Sequence, residues 1–193
     1  ILTAIGYNIT MGSYVSDVRP FYDILTFPHD LVVEALTDAA PDLRRIGVEL
    51  GQEQRMGIPV GAYLELVEAL SGVEFVDAAE IVISVRMVKA PEEVAYMRQA
   101  AEITGRARQR LFDRVVPGMT ERDVARLTRQ LIMEEGGDRT SFVHLQSDLP
   151  GSSNIFSYDR PLQKGTVLAV DTGAYVGMYT VDYARMATLG PTT

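Results

Sequence analysis

The 193 residues contain no cysteine. That absence excludes disulfides, thiolate metal sites and a cysteine nucleophile. Together with the lack of a signal-peptide pattern at the start, it makes a reducing cytoplasm the expected compartment. Long apolar runs are also missing: "IVISV" is among the longest, far short of the ~20 residues that cross a bilayer, so no membrane association is expected. Positive charge is in deficit, with 18 Lys and Arg against 26 Asp and Glu, a net −8. Without a basic stripe to release counterions, nucleic acid is not an expected partner. Repeats and low-complexity segments are absent too.

What is present reads as an ordinary globular chain, 47% hydrophobic and 23% charged. Its length suits one domain with a sizeable core or two small ones. The chain begins at Ile1 rather than Met and ends at "LGPTT" just after a strand pattern, so a fragment of a longer protein is expected. Residues 1–88 alternate between the two periodicities. "HDLVVEALTDAA" reads as a helix, "RRIGVEL" as a buried strand, "PVGAYLELVEAL" as a helix opened by Pro59, "VEFVDA" as a second strand, and "AAEIVISVRMV" as helical again. Such alternation predicts an α/β layer with some parallel pairing. "ILTAIGYNI" is read as a strand and "GSYVSDVRPFYD" as a loop whose Tyr14, Phe21 and Tyr22 pack on a neighbouring domain.

The pattern changes near Val88–Pro91. A long helix starts at Pro91, with Glu92 and Glu93 at the positive end of its dipole. Its apolar stripe, Val94, Met97, Ala101, Thr104 and Leu111, is broken only by Arg108. Thr120 and Asp123 form an approximate capping box for the next helix, which Gly136-Gly137 stop. Beyond residue 138 the chain reads as strands: "TSFVHLQ", "TVLAVDTGAY" and "GMYTVDYARMAT".

The last two strands carry Asp171 and Asp182. A turn centred on Val176-Gly177 would set the two aspartates directly opposite, on one face of a hairpin, with Cβ atoms about 4.5–5.5 Å apart. Like charges so placed destabilise a sheet unless one is protonated or a cation lies between them. Hard oxygen ligands suit Mn²⁺ or Mg²⁺, and mixed sets with His suit Zn²⁺ or Fe²⁺. Aspartates near turns are also common as solvated turn formers, and a surface ion cluster is the bland alternative. Asp182 lies mid-strand, where aspartate is disfavoured, which favours the functional reading. Arg185, at an odd offset from Asp182, is expected on the opposite face. His29 and His144 are read as structural.

These segments, taken in order, resemble the pita-bread metallopeptidase family, which holds Xaa-Pro dipeptidase (prolidase), Xaa-Pro aminopeptidase, methionine aminopeptidase and creatinase. "RMVKAPEEVAYMRQAAEI" is similar to the family's Arg-x-x-Lys-x-x-Glu-Glu helix start, and "VPGMTERDV" to its Pro-Gly-x-Thr-Glu junction. "RPLQKGTVLAVDTGAYVGMYTVDYAR" is similar to the strand pair that carries the first two metal ligands, Asp-x-Gly then Tyr-x-x-Asp-x-x-Arg. The resemblance implies an α/β (α+β) fold: a partial creatinase/prolidase-like N-terminal domain at 1–88, then a partial pita-bread catalytic domain at 89–193. It implies that Asp171 contributes to one metal and Asp182 bridges two, the remaining ligands (one His, two Glu) and a Glu base lying downstream. Two divalent ions are implied, Mn first, with Co, Zn or Fe as alternatives, poorly held by this chain alone. The implied reaction is cleavage of a small peptide or amide C–N bond by a homodimeric parent, the chain by itself being inactive. The family's substrate-positioning His is missing from "DLPGSSNIFSYDRPLQKG", so the substrate stays open. The same fold also hosts metal-free binding modules that engage protein partners, which is the alternative reading.

Overall fold

The computed structural model describes residues 2–3, 16–23, 25–52, 54–153 and 157–190. The chain forms two compact units, 1–88 and 89–193. Among the described residues, no helix is long and apolar enough to cross a membrane.

In the first unit, β1 (Leu2–Thr3) pairs in parallel with β2 (Arg19–Pro20). Most of "ILTAIGYNI", and Tyr14 with it, lies outside the described residues. Tyr22 is 86% exposed and does not pack as expected. Helix α1 (His29–Ala39) is followed by β3 (Arg45–Val48), α2 (Val60–Ala69), β4 (Glu74–Asp77) and α3 (Ala79–Met87). The expected parallel pairing is found between β3 and β4, where Arg45 faces Glu74 and bonds it at 2.8 Å. Pro59 precedes the first turn of α2, whose Ala62 and Leu66 are buried. His29 is structural, as expected: its Nε2 lies 3.1 Å from the Ala62 carbonyl and 3.0 Å from Glu65, joining α1 to α2. Asp77, two residues before the start of α3, accepts from the Ala79 and Leu50 N–H groups.

The second unit is two helices laid on one sheet. Helix α4 (Pro91–Arg114) starts where Pro91 fixes the first turn and the Glu93 carboxylate takes the Ala90 N–H at 2.7 Å. Helix α5 (Glu121–Glu134) opens on a full capping box: the Asp123 N–H donates to Thr120 Oγ1, and the Thr120 N–H donates to Asp123. Gly136, at φ 96°, supplies the left-handed stop that a side chain would strain. Strands β5 (Arg139–Ser147), β6 (Val167–Val176), β7 (Tyr179–Thr180) and β8 (Tyr183–Thr188) form an antiparallel sheet, β6 lying between β5 and the β7/β8 segment.

Strand alternation gives this sheet two faces. Leu168, Val170, Thr172, Ala174 and Val176 are buried. The apolar members of that set join Ala100, Ile103, Ala107 and Leu111 of α4 and Val124, Leu131 and Ile132 of α5 in one core. The intervening residues, Asp171 among them, lie on the other face. The single strand expected over "GMYTVDYARMAT" is in fact two, interrupted at Val181-Asp182, because Val181 O presses over Gly173 where a regular ladder would run.

Candidate metal centre

The position of the second aspartate is set by the hairpin turn. Val176 pairs with Tyr179, which leaves Gly177-Met178 as a two-residue loop, with φ of 54° and 72°. Both angles are positive, as the favoured tight hairpin turns require. The turn is therefore centred one residue later than expected, and the ladder shifts by two. Asp171 lies opposite Ala184, not Asp182, and Thr172 lies opposite Tyr183. Asp182 falls in the break between β7 and β8.

The two carboxylates still meet, diagonally instead of directly. Asp182 lies close enough to act on Asp171 through its charge and hydrogen bonding, and the Tyr183 backbone lies beside the pair. Burial, then the bond to Asp182 and its charge, push the Asp171 carboxyl above its usual range. One of its oxygens, Oδ1, is buried without a hydrogen-bond partner. Buried carboxylate oxygens are seldom left so. On its other side Asp171 faces His144 of β5, directly across the ladder. His144 thus lines the site's own face, which its position in the sequence had not indicated. Arg185 pairs with Val170 and lies on the opposite face, as expected.

Gly173 makes the diagonal contact possible. A Cβ at this position would lie 1.8 Å from Val181 O and 2.9 Å from Ser141 Oγ. No side chain fits unless the Val181-Asp182 segment moves. Gly173→Ala should therefore cost roughly 1–3 kcal/mol, typical of overpacking. It should also separate the two carboxylates, a change visible as altered Asp171 and Asp182 carboxyl resonances in NMR spectra. A variant with wild-type stability and unchanged resonances would refute this.

A third carboxylate, to which sequence reasoning gave no role, lies beneath the segment after β5. Glu121 is fully buried at the start of α5. It accepts from Ser147 Oγ at 2.6 Å, Ser152 Oγ at 2.7 Å and the Tyr158 N–H at 3.2 Å. Arg160 approaches it at 3.5 Å and also donates to the Pro150 and Gly151 carbonyls. Burial pushes this carboxyl up, but the hydrogen bonds from Ser147, Ser152 and Tyr158 and the charge of Arg160 outweigh it, so the group lies below its usual range. The signal was visible as the Glu of "PGMTE". Asn154, Ile155 and Phe156, in the stretch lacking a His, lie outside the described residues.

Among the described residues, no group of three or more His, Cys, Asp or Glu side chains could hold a metal ion. The Asp171–Asp182 pair nevertheless suits a hard divalent cation as a partial ligand set. Its oxygens are of the right chemistry, its like charges need a counter-charge, and Asp171 Oδ1 is left without a partner.

Residues 95–193 match metallopeptidase family M24, and residues 9–88 match the creatinase/prolidase N-terminal domain. The chain is 34% identical over 135 residues to the probable dipeptidase PepE of Mycobacterium tuberculosis, an alignment covering 69% of this chain and 36% of that protein. The solved dipeptidase PepE of Mycobacterium ulcerans superposes with a TM-score of 0.74 at 29% identity, over 100% of this chain and 50% of its own. The Xaa-Pro dipeptidase of Bacillus anthracis gives a TM-score of 0.81 at 19% identity, over 100% of this chain and 52% of its own, a likeness of fold alone. The chain spans less than half the length of the curated relatives it matches.

Proposed function

Because the chain belongs to metallopeptidase family M24, we propose that Asp171 and Asp182 are metal ligands of a hydrolase that cleaves a small peptide, of the Xaa-Pro dipeptide kind, at its C–N bond. The observation that carries this reading is the contact between the two carboxylates, with Asp171 Oδ1 buried and unpartnered beside it. Relatives named as dipeptidases support a hydrolase over a binding module. Two divalent ions, Mn²⁺ first and Co²⁺, Zn²⁺ or Fe²⁺ as alternatives, would be shared by Asp182, with Asp171 on one of them. Bound there, such ions polarise a substrate carbonyl and acidify a water molecule.

The chain's own residues prepare that site. Asp171 Oδ1, buried and without a hydrogen-bond partner, is left free to coordinate. Gly173 keeps the strand break open, so that Asp182 reaches Asp171. As metal ligands, neither aspartate would serve as the catalytic base.

Two carboxylates leave most coordination positions to water. The 193-residue chain should therefore hold Mn²⁺ only weakly, with a Kd of about 10⁻⁴–10⁻³ M, the range of weak oxygen-ligand sites, and should show no turnover. Titration followed by the Mn²⁺ electron paramagnetic resonance signal measures this directly. Asp171→Asn combined with Asp182→Asn should abolish the binding. Equal binding by that double variant would overturn the assignment, as would hydrolysis of an Xaa-Pro dipeptide by the chain without added metal.

A further inference from the structure

Arg108 is the one break in the apolar stripe of α4, and its side chain is buried, only 9% exposed. A buried guanidinium without a carboxylate is costly, and a leucine would satisfy the helix periodicity at lower cost. No ion pair to Arg108 is found among the described residues. Its guanidinium instead engages a single residue of the sheet, twice. Nη1 donates to the Tyr183 carbonyl at 3.1 Å, and the guanidinium carbon lies 4.2 Å from the centre of the Tyr183 ring.

Tyr183 is the residue that joins the carboxylate segment to the sheet. It is the first residue of β8, immediately after Asp182, and it pairs with Thr172, the neighbour of Asp171. The ladder is broken just before it, so regular strand pairing cannot fix its position on that side. One turn earlier on the same helix, Thr104 Oγ1 accepts the Ala174 N–H at 2.9 Å. Residues four apart on a helix lie on one face. Helix α4 therefore holds both borders of the break, Ala174 of β6 through Thr104 and Tyr183 of β8 through Arg108. Both anchors come from the core side, while the carboxylates stand on the other face.

We propose that Arg108 is a positioning residue for the carboxylate pair, acting through Tyr183: by holding the Tyr183 carbonyl and ring, it fixes the start of β8 and with it the backbone that delivers Asp182 to Asp171. The inference rests on the reading of these aspartates as ligands for its bearing on metal, but its first measurement does not. In the whole 193-residue chain, exchange of the Tyr183 backbone amide is followed by NMR, and Mn²⁺ affinity is followed by paramagnetic broadening of the same resonance.

Arg108→Met should speed Tyr183 exchange about tenfold and weaken Mn²⁺ binding about tenfold, the low end of what orienting partners contribute to metal affinity. Ile103→Val, in the same helix and core, serves as the control for lost stability. Compared at a temperature equally far below its own melting point, it should leave both readouts within about twofold, on the same scale. Tyr183→Leu removes the ring under the guanidinium and should weaken Mn²⁺ binding in the same direction, which keeps a test available should Arg108→Met not fold. An unchanged Tyr183 amide in Arg108→Met, or an equal loss in the Ile103→Val control, would overturn the proposal and leave Arg108 a packing residue. A wild-type chain that shows no Mn²⁺ broadening would overturn the metal assignment and with it the metal arm of this proposal, while the amide measurement would still decide whether Arg108 positions the start of β8.

Discussion

Replacing Asp182 by asparagine should have opposite effects on the metal-loaded and metal-free protein. In an intact enzyme containing this chain, a ligand shared by two ions would lose its charge to both. Turnover of an Xaa-Pro dipeptide with Mn²⁺ should then fall more than about a hundredfold, beyond what changes to outer-shell partners cost. In the metal-free chain the same change relieves a repulsion. Asp171 is raised above its ordinary value of 3.8 by burial and by Asp182. A carboxyl raised by folding makes the folded state bind protons more readily than the unfolded one. The contribution of Asp171 to metal-free stability is thus greatest below about pH 3.8 and falls as the pH rises through the folded value. Asp182→Asn should recover up to about 1 kcal/mol at neutral pH, the scale of like-charge pairs on a sheet. The gain should vanish in acid. Urea unfolding at both pH values, with and without Mn²⁺, tests the pair of effects. Full turnover by the variant, or no gain at neutral pH without metal, would contradict them.

Glu121→Ala should destabilise the fold more than Gly173→Ala or any change at the aspartates, by about 3–5 kcal/mol, the cost of removing one partner from a buried charged network. It strips the acceptor from Ser147, Ser152 and the Tyr158 N–H at once. Because the Glu121 carboxyl lies below its ordinary value of 4.5 when folded, its contribution is fully present above that pH and is lost as the pH falls through the folded value. The wild type should therefore lose stability in that acidic window, and the variant should lack this component. Unfolding curves at neutral pH and through the window measure both. A loss below about 1 kcal/mol would mean that the network contributes no more than one ordinary hydrogen bond.

Much of this architecture was readable from local signals. The Pro91 helix start, the Thr120–Asp123 capping box and the β3–β4 parallel pair follow from capping chemistry and periodicity, and the structure shows each of them. The aspartates were identified by residue type, and their sharing of one face followed from a hairpin with a loop of even length. Their register did not follow. It depends on which two residues adopt positive φ, and one of them is Met178, which has no intrinsic preference for that region. The strand break at Asp182 arises from contact between Val181 and Gly173, and Gly173 alone reads as a weak strand residue. His144 and Arg108 were seen only as exceptions within apolar patterns. Their places beside Asp171 and Tyr183 come from pairing and packing between distant segments, and no window of sequence contains that information.

The Gly177-Met178 turn also limits how this hairpin can evolve. Loop tips with exposed side chains commonly accept insertions, and Met178 is 78% exposed. Its side chain should be replaceable by residues that accept positive φ, such as Gly, Asn or Asp, yet the number of residues at the tip is fixed by the carboxylates further down the two strands. One residue more would turn Asp182 toward the core face, because side chains alternate along a strand. Variation at this tip should therefore take the form of substitution and not of length, which makes the turn a spacer under selection even though it touches neither carboxylate.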